Sequence, residues 1–312
     1  MENFSGEYMF VIHGLNDSRT NKHIYFAFGL IVYSMTLFIN LSITLTVILD
    51  KTLHEPMYIF ICNMFFNGIL GASAFYPKIL ADLLAEYHVI SYAGCLSQVG
   101  FIYSYVFCEF TCLTVMSYDR YISICKPLEY HSIMTFRKCF KLLIYSWLCS
   151  ILESFVGVMF TAQLRLCGNV IDKLYCSNWE VVKLSCTDVT VNNVYGYILL
   201  VYHVSQALFI IVSYISIIRA SLRSKTQWAK FMQTCLPHLM ALTNFTIAVI
   251  FDSMYARYGK SQGLQALRNM LSIEFLVVPP LLNPIIYGFK LTQIRKGLVK
   301  VYRHRFKALL HS

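Results

Sequence analysis

Seven stretches of this 312-residue chain are long and apolar enough to cross a lipid bilayer, and nothing else restricts its fold so tightly. They run over about 24–49, 57–80, 92–118, 142–164, 194–218, 231–254 and 269–289. Hydrocarbon offers no partners for backbone N–H and C=O groups, so a spanning segment must satisfy them itself, as a helix of about 20 residues, or in a closed barrel. Barrel strands run only about 9–11 residues and alternate in polarity, whereas these segments are longer and continuously apolar. The expected fold class is therefore an all-α membrane protein, one bundle of seven transmembrane helices. Composition agrees: 13% of residues are charged, against about 25% in soluble domains, too few to cover soluble domains of this length. The high apolar and aromatic content also excludes disordered, collagenous and disulfide-scaffold classes.

An odd number of spans puts the termini on opposite sides. Of 26 Lys and Arg residues, 17 fall on the C-terminal side, among them Lys51, Arg120, Lys126, Arg137, Arg223, Lys225, Lys230 and Lys290. The positive-inside rule then makes the C-terminus cytosolic and the N-terminus outside. Residues 1–23 form an extracellular tail without the apolar core of a signal peptide, so the first span is expected to act as its own insertion signal. Residues 290–312 form a basic cytosolic tail with a short amphipathic helix. The net charge of +10 is thereby assigned to a cytosolic rim facing anionic lipid, and nucleic acid is not an expected partner.

Asn3-Phe4-Ser5 and Asn16-Asp17-Ser18 are glycosylation sequons on the outer tail, and Asn3, farther from the membrane, is the better acceptor. The same pattern at Asn40 and Asn244 lies inside spans and is inaccessible. Four of the 11 cysteines, Cys95, Cys167, Cys176 and Cys186, fall on the oxidising outer side, where disulfides persist. Four cysteines allow three pairings, and spacing does not choose among them. Pro56 opens the second helix and Pro77 is expected to end its regular part. Pro237 interrupts the sixth span, and Pro279, Pro280 and Pro284 the seventh, which makes these two the natural sites of kinks.

No phosphate loop, zinc-protease helix or nucleophile elbow is present, so an enzyme is not expected. Cys108 and Cys112 lack a completing His or carboxylate and read as core packing, so no metal or cofactor is expected. The informative motif is Asp119-Arg120-Tyr121 at the cytosolic end of the third span, within Met116-Ser117-Tyr118-Asp119-Arg120-Tyr121-Ile122-Ser123-Ile124-Cys125-Lys126-Pro127-Leu128. A charged pair at this boundary can hold a helix end in one state.

With this motif in place, the chain resembles vertebrate odorant receptors, within the rhodopsin-like G-protein-coupled receptors. The matches run almost end to end, in order and at the right spacing. They are Asn40, Leu53-His54-Glu55-Pro56-Met57-Tyr58, Pro77-Lys78-Ile79-Leu80, Cys95, the third-span motif and Trp147. Ser213-Tyr214, Thr234-Cys235-Leu236-Pro237-His238-Leu239 and Leu282-Asn283-Pro284-Ile285-Ile286-Tyr287 complete them. Asn67-Gly68 and Glu129-Tyr130-His131-Ser132 look most like the branch abundant in fishes.

The resemblance implies disulfides Cys95–Cys176 and Cys167–Cys186. It implies a small organic odorant as ligand, a stimulatory, olfactory-type heterotrimeric G protein as partner, rising cyclic AMP, and the plasma membrane of sensory cilia as the location. The implied switch residues are Asp119, Arg120, Tyr121, Tyr214, His238, Asn283, Pro284 and Tyr287. The implied pocket lies in the outer half of helices three, five, six and seven. It comprises Ile102, Tyr103, Val106 and Phe107, then Tyr195, Ile198, Leu199 and Tyr202, then Val249, Ser253 and Ile273. Two departures stand out. Gly68 replaces an Asp that many relatives use with the counterpart of Glu109 to bind sodium, leaving Glu109 alone as an interior ion-site candidate. Phe245-Thr246-Ile247 replaces the usual Phe-Tyr-Gly. Glu153, Asp252 and Glu274 are costly near hydrocarbon and are functional candidates, either for a cationic ligand such as an amine or for bonds across helices. The rival readings are a rhodopsin-like receptor for a non-odorant molecule and a channel or transporter. A retinal protein is disfavoured because the seventh span has no lysine.

Overall fold

The computed structural model describes residues 8–13, 19–258 and 270–310; the candidate glycosylation sites Asn3 and Asn16 lie outside them. Seven long helices form the bundle: α1 (Arg19–Leu49), α2 (Pro56–Leu84), α3 (Tyr92–Cys125), α4 (Phe136–Ala162), α5 (Thr190–Ser221), α6 (Lys225–Tyr258) and α7 (Glu274–Lys290). An eighth, α8 (Thr292–Leu310), leaves α7 at 90°. Several helices outrun their apolar stretches. α4 begins at Phe136, where the Thr135 hydroxyl caps the Lys138 N–H at 3.3 Å, because a helix can continue past hydrocarbon into the headgroup layer. Pro77 does not end α2, which runs on to Leu84. Inside a packed bundle, losing one backbone bond bends a helix without terminating it.

α3 threads the centre and is mostly buried, whereas α4 and α5 turn Leu148, Leu152, Phe155, Val201 and Val212 outward. Such an apolar exterior is stable only against lipid. The interior is a large apolar core with polar groups set into it, and two of them answer the prolines of α7. A proline cannot bond the carbonyl four residues back. Pro284 thus frees the Pro280 carbonyl, which accepts from Asn40 Nδ2 of α1 at 2.7 Å. Pro279 likewise frees the Phe275 carbonyl, which accepts from the Tyr105 hydroxyl of α3 at 2.9 Å. The proline-rich stretch is therefore where α7 is keyed to its neighbours.

Close packing around Tyr105 gives a direct test. A Cβ on Gly71 would meet the Tyr105 ring at 2.6 Å, and overpacking a fixed ring costs about 1–3 kcal/mol. Gly71→Ala is expected to lower the thermal unfolding midpoint of the purified receptor and its cell-surface level. Gly100→Ala, whose Cβ would meet only Val158 at 3.8 Å, serves as control and is expected to leave both unchanged or slightly raised.

The outer end is closed by a small sheet of order β2-β1-β3. Strand β1 (Met9–Ile12) pairs antiparallel with β2 (Val89–Ser91) and parallel with β3 (Val170–Ile171). Phe10 is fully buried against Cys95, Val99, Ile171 and Cys176. Disulfides join Cys95 to Cys176 and Cys167 to Cys186. Gln98 adds a clamp, accepting from the Cys176 N–H at 2.9 Å and donating to the Ala74 carbonyl at 3.1 Å. The loop between α4 and α5 is thus a folded lid.

At the inner end α8 lies against the α1–α2 turn. Gly297 permits this approach, since a Cβ there would sit 3.0 Å from Leu53 and 3.1 Å from Thr46. Lys300 Nζ donates to Asp50 Oδ1 at 3.0 Å, and this bond holds the Asp50 carboxyl below the usual carboxylate range. A lowered folded-state value means that the latch is whole at neutral pH and is lost only as pH falls through that value.

Candidate functional site

Between α3, α4, α5 and α6, under the lid, lies a cavity of about 340 Å³. Tyr103, Val106, Phe107, Tyr195, Leu199, Val249 and Ser253 line it. The other four expected pocket residues do not. Ile102 is buried in the core on another face of α3, and Ile198 is 59% exposed on the lipid face of α5. The Tyr202 hydroxyl is bonded to that of Tyr145 at 3.1 Å, and Ile273 packs at the start of α7. Each residue advances about 100° around a helix, so Ile198 and Leu199 share a height but not a face. α7 supplies none of the lining; α4 and the lid take its place, through Glu153, Ser154, Lys173 and Trp179. His203 of α5 was also missed, although a histidine in a span without acidic or basic residues was a visible signal. It lies against Phe107 and Phe110, with centroids 4.8 and 5.5 Å apart.

The three carboxylates near the outer face have different fates. Asp252 accepts from Lys173 Nζ of the lid at 2.6 Å and from the Tyr175 hydroxyl at 3.1 Å. Burial first, and then the Asp252 charge, push the Tyr175 phenol far up, so it stays a donor. Glu274 lies in a separate open groove of about 700 Å³ between α6 and α7. Met240 and Ile247 line that groove and are exposed on the outside of the bundle. It therefore faces acyl chains rather than the interior. Glu153 lies in the cavity, its Oε2 3.7 Å from His203 Nε2.

Below the cavity the interior polar residues form a connected layer. Both Glu109 oxygens accept from amides: Oε2 from Asn67 at 2.9 Å and Oε1 from Asn283 of α7 at 3.1 Å. Phe245 packs on Tyr105 and Phe110 with centroids 6.0 and 5.2 Å apart. Thr246 turns into the cavity, so α6 touches ligand space and core through adjacent residues. One layer farther in, the Tyr214 hydroxyl bonds His238 Nδ1 at 2.5 Å, and His238 Nε2 donates to the Leu113 carbonyl at 3.1 Å. The imidazole ties α5 and α6 to α3.

At the cytosolic end Arg120 donates through Nε, at 2.9 Å, and through Nη2 to Asp119 Oδ2. The Tyr130 hydroxyl donates to Oδ1 at 2.8 Å. Burial and the Asp119 charge push the Tyr130 phenol far up, which keeps it a donor here too. Tyr121 packs at the core margin. Tyr287, three residues past Pro284, is buried with no hydrogen-bond partner for its hydroxyl among the described residues. It shares a space of about 10 Å³ with Arg120 and His238.

Comparison with known proteins places this arrangement. The olfactory receptor family profile matches residues 28–305. The chain belongs to the olfactory receptor family. It is 34% identical over 299 residues to mouse olfactory receptor 5AP2, covering 94% of this chain and 92% of that one. It is 34% identical over 311 residues to human olfactory receptor 4K14, covering 97% and 98%. The crystal structure of squid rhodopsin superposes with a TM-score of 0.74 at 15% identity, over 91% of this chain and 81% of that one, which shows the seven-helix fold. The chain is thus a multi-pass membrane receptor and not an enzyme.

Proposed function

We propose that this receptor detects a small organic odorant in the cavity beneath the lid and drives a stimulatory, olfactory-type heterotrimeric G protein to raise cyclic AMP. On this reading it works in the plasma membrane of olfactory cilia, with Asn3 glycosylated outside. The observation that carries the proposal is the cavity under the lid, part-open toward the outside of α5 and α6, whose α6 wall, at Thr246 and Val249, continues into the His238 tie to α3 and α5. A ligand shifts the equilibrium only by its difference in affinity between states. Contact with α6 supplies such a difference if the cytosolic half of α6 swings outward about Pro237. That swing breaks the His238 bonds, frees Arg120 and opens a groove bordered by basic Arg223 and Lys225.

The test is a cyclic AMP screen of cells displaying the receptor against amines, amino acids, steroids and volatiles. A ligand-evoked rise that vanishes in cells without the stimulatory α subunit is the expected result. Agonist-independent ion current in cells lacking G proteins would instead identify a channel. Val249→Phe fills the cavity from α6 and is expected to raise the half-maximal agonist concentration at least about tenfold, equivalent to about 1.4 kcal/mol, with surface level unchanged.

A further inference from the structure

We infer that the cavity selects primary amines, with the ligand's ammonium group held between Glu153 of α4 and His203 of α5. This inference rests on the reading of the cavity as the ligand site. The decisive observation is a pair of acceptors without a donor. Glu153 Oε2 and His203 Nε2 are both buried, both without a hydrogen-bond partner among the described residues, and 3.7 Å apart. Their residues line the same cavity. His203 Nδ1 sits 2.8 Å from the Leu199 carbonyl, which can only accept, so Nδ1 carries the proton. The neutral ring then presents Nε2 as a bare lone pair. A carboxylate oxygen is likewise an acceptor. A proton on Nε2 would set an ion pair across the 3.7 Å gap but no hydrogen bond, since that distance is too long for one. The gap is instead suited to a third group that donates to both.

The surrounding chemistry narrows that group. Asp252, the other carboxylate of the cavity, is taken by Lys173 and Tyr175. Glu153 is therefore the carboxylate with a free oxygen there, and Lys173 is not free to hold an anion. Carboxylic acids would place negative charge against two acceptors, and an amino acid would add to its ammonium a carboxylate that Lys173, held by Asp252, is not free to bind. Aldehydes, ketones and esters bring no donor, and an alcohol brings one. A primary ammonium brings three donors and the opposite charge, so both bonds are charge-assisted. Phe107 and Phe110 stand beside His203 and line the same cavity, so aromatic rings border the site of the cation. Val106, Leu199 and Val249 surround the rest. The volume of about 340 Å³ lies at the small end of ligand sites, which suits a compact hydrocarbon body.

The probes are hexylamine, cyclohexylamine and phenethylamine, their N-methyl and N,N-dimethyl derivatives, and hexanol, hexanal and hexanoic acid. Binding to receptor in membranes is read by ligand-induced thermal shift, and signalling separately by cyclic AMP. Primary amines are expected to bind most tightly, with affinity falling as methyl groups replace N–H donors, and hexanal and hexanoic acid are expected not to bind. Glu153→Gln preserves shape and is expected to weaken amine binding at least about tenfold while the unliganded midpoint stays or rises. His203→Phe keeps the ring packing and is expected to do the same. Equal amine affinity in Glu153→Gln, a flat methylation series, or absence of binding by every amine overturns the inference. The methylation series needs no variant, so a folding defect does not blunt it. Glu153-dependent amine binding without cyclic AMP sustains the inference and removes the signalling proposal. Cyclic AMP evoked by hexanal with no amine binding does the reverse.

Discussion

Arg120→Ala is expected to abolish agonist-evoked cyclic AMP, to near the level of untransfected cells, while the receptor still reaches the surface and binds ligand. The reason lies in how Arg120 is held. Its guanidinium is buried and donates through two nitrogens to Asp119, whose other oxygen is taken by Tyr130. A buried guanidinium is kept only where its charge is matched. Arg120 already borders the small space it shares with His238 and Tyr287; once α6 moves that space widens, and the guanidinium can turn into it to support the open cytosolic face. Alanine has nothing to offer that face. Asp119→Asn is the complementary variant. It leaves the same guanidinium buried with a neutral partner, and breaking such a pair costs about 3–5 kcal/mol. That cost falls on the resting state, so basal cyclic AMP is expected to rise several-fold; each 1.4 kcal/mol shifts a two-state ratio about tenfold. Tyr130→Phe removes one hydrogen bond to the carboxylate and is expected to raise basal signalling less. Surface immunostaining alongside cyclic AMP separates these effects from misfolding. Wild-type signalling by surface-displayed Arg120→Ala would overturn the switch assignment.

The bundle itself was legible because lipid leaves the backbone one long-helix solution, and the spans follow from hydropathy. What hydropathy misses is where a helix ends in the headgroup layer, as at Phe136 and Leu84. The prolines of α7 were visible, but not what they do. Only the fold brings Asn40 and Tyr105 to the carbonyls that Pro284 and Pro279 release. The expected pocket was placed by height along the helices alone, and one residue of helical rotation separates Ile198 on the exposed face of α5 from Leu199 in the cavity. The lid was the least legible part. Strands of two to four residues carry no usable alternation, and the pairing of β1 with β3 joins residues far apart in sequence. Glu109 illustrates the middle case. Its burial was expected, but its neutral amide partners, Asn67 of α2 and Asn283 of α7, reach it only where those two helices meet α3.

The lid-to-α6 ion pair carries the other large expected effect, and its two halves separate stability from function. Lys173 and Asp252 are both largely buried, with side-chain exposures of 8% and 12%, and Tyr175 completes the cluster. Asp252→Ala strands the Lys173 ammonium beneath the lid, and Lys173→Ala strands the carboxylate; each is expected to destabilise the receptor by about 3–5 kcal/mol. The readout is a marked fall in thermal midpoint and in surface level. Two charges removed from water repay only part of their desolvation by attracting each other, so replacing both with apolar residues of similar size is often neutral. The double variant Lys173→Met, Asp252→Leu is therefore expected to recover most of the lost midpoint. Its signalling should not return to normal, however. Tyr175 loses its acceptor, and a charged tether between the disulfide-anchored lid and the helix that moves is replaced by non-directional contact. Lower ligand affinity with raised basal cyclic AMP is the outcome that assigns the pair to gating. A double variant as unstable as either single one would show instead that the site cannot repack. A fully normal one would show that the bridge is dispensable to the switch.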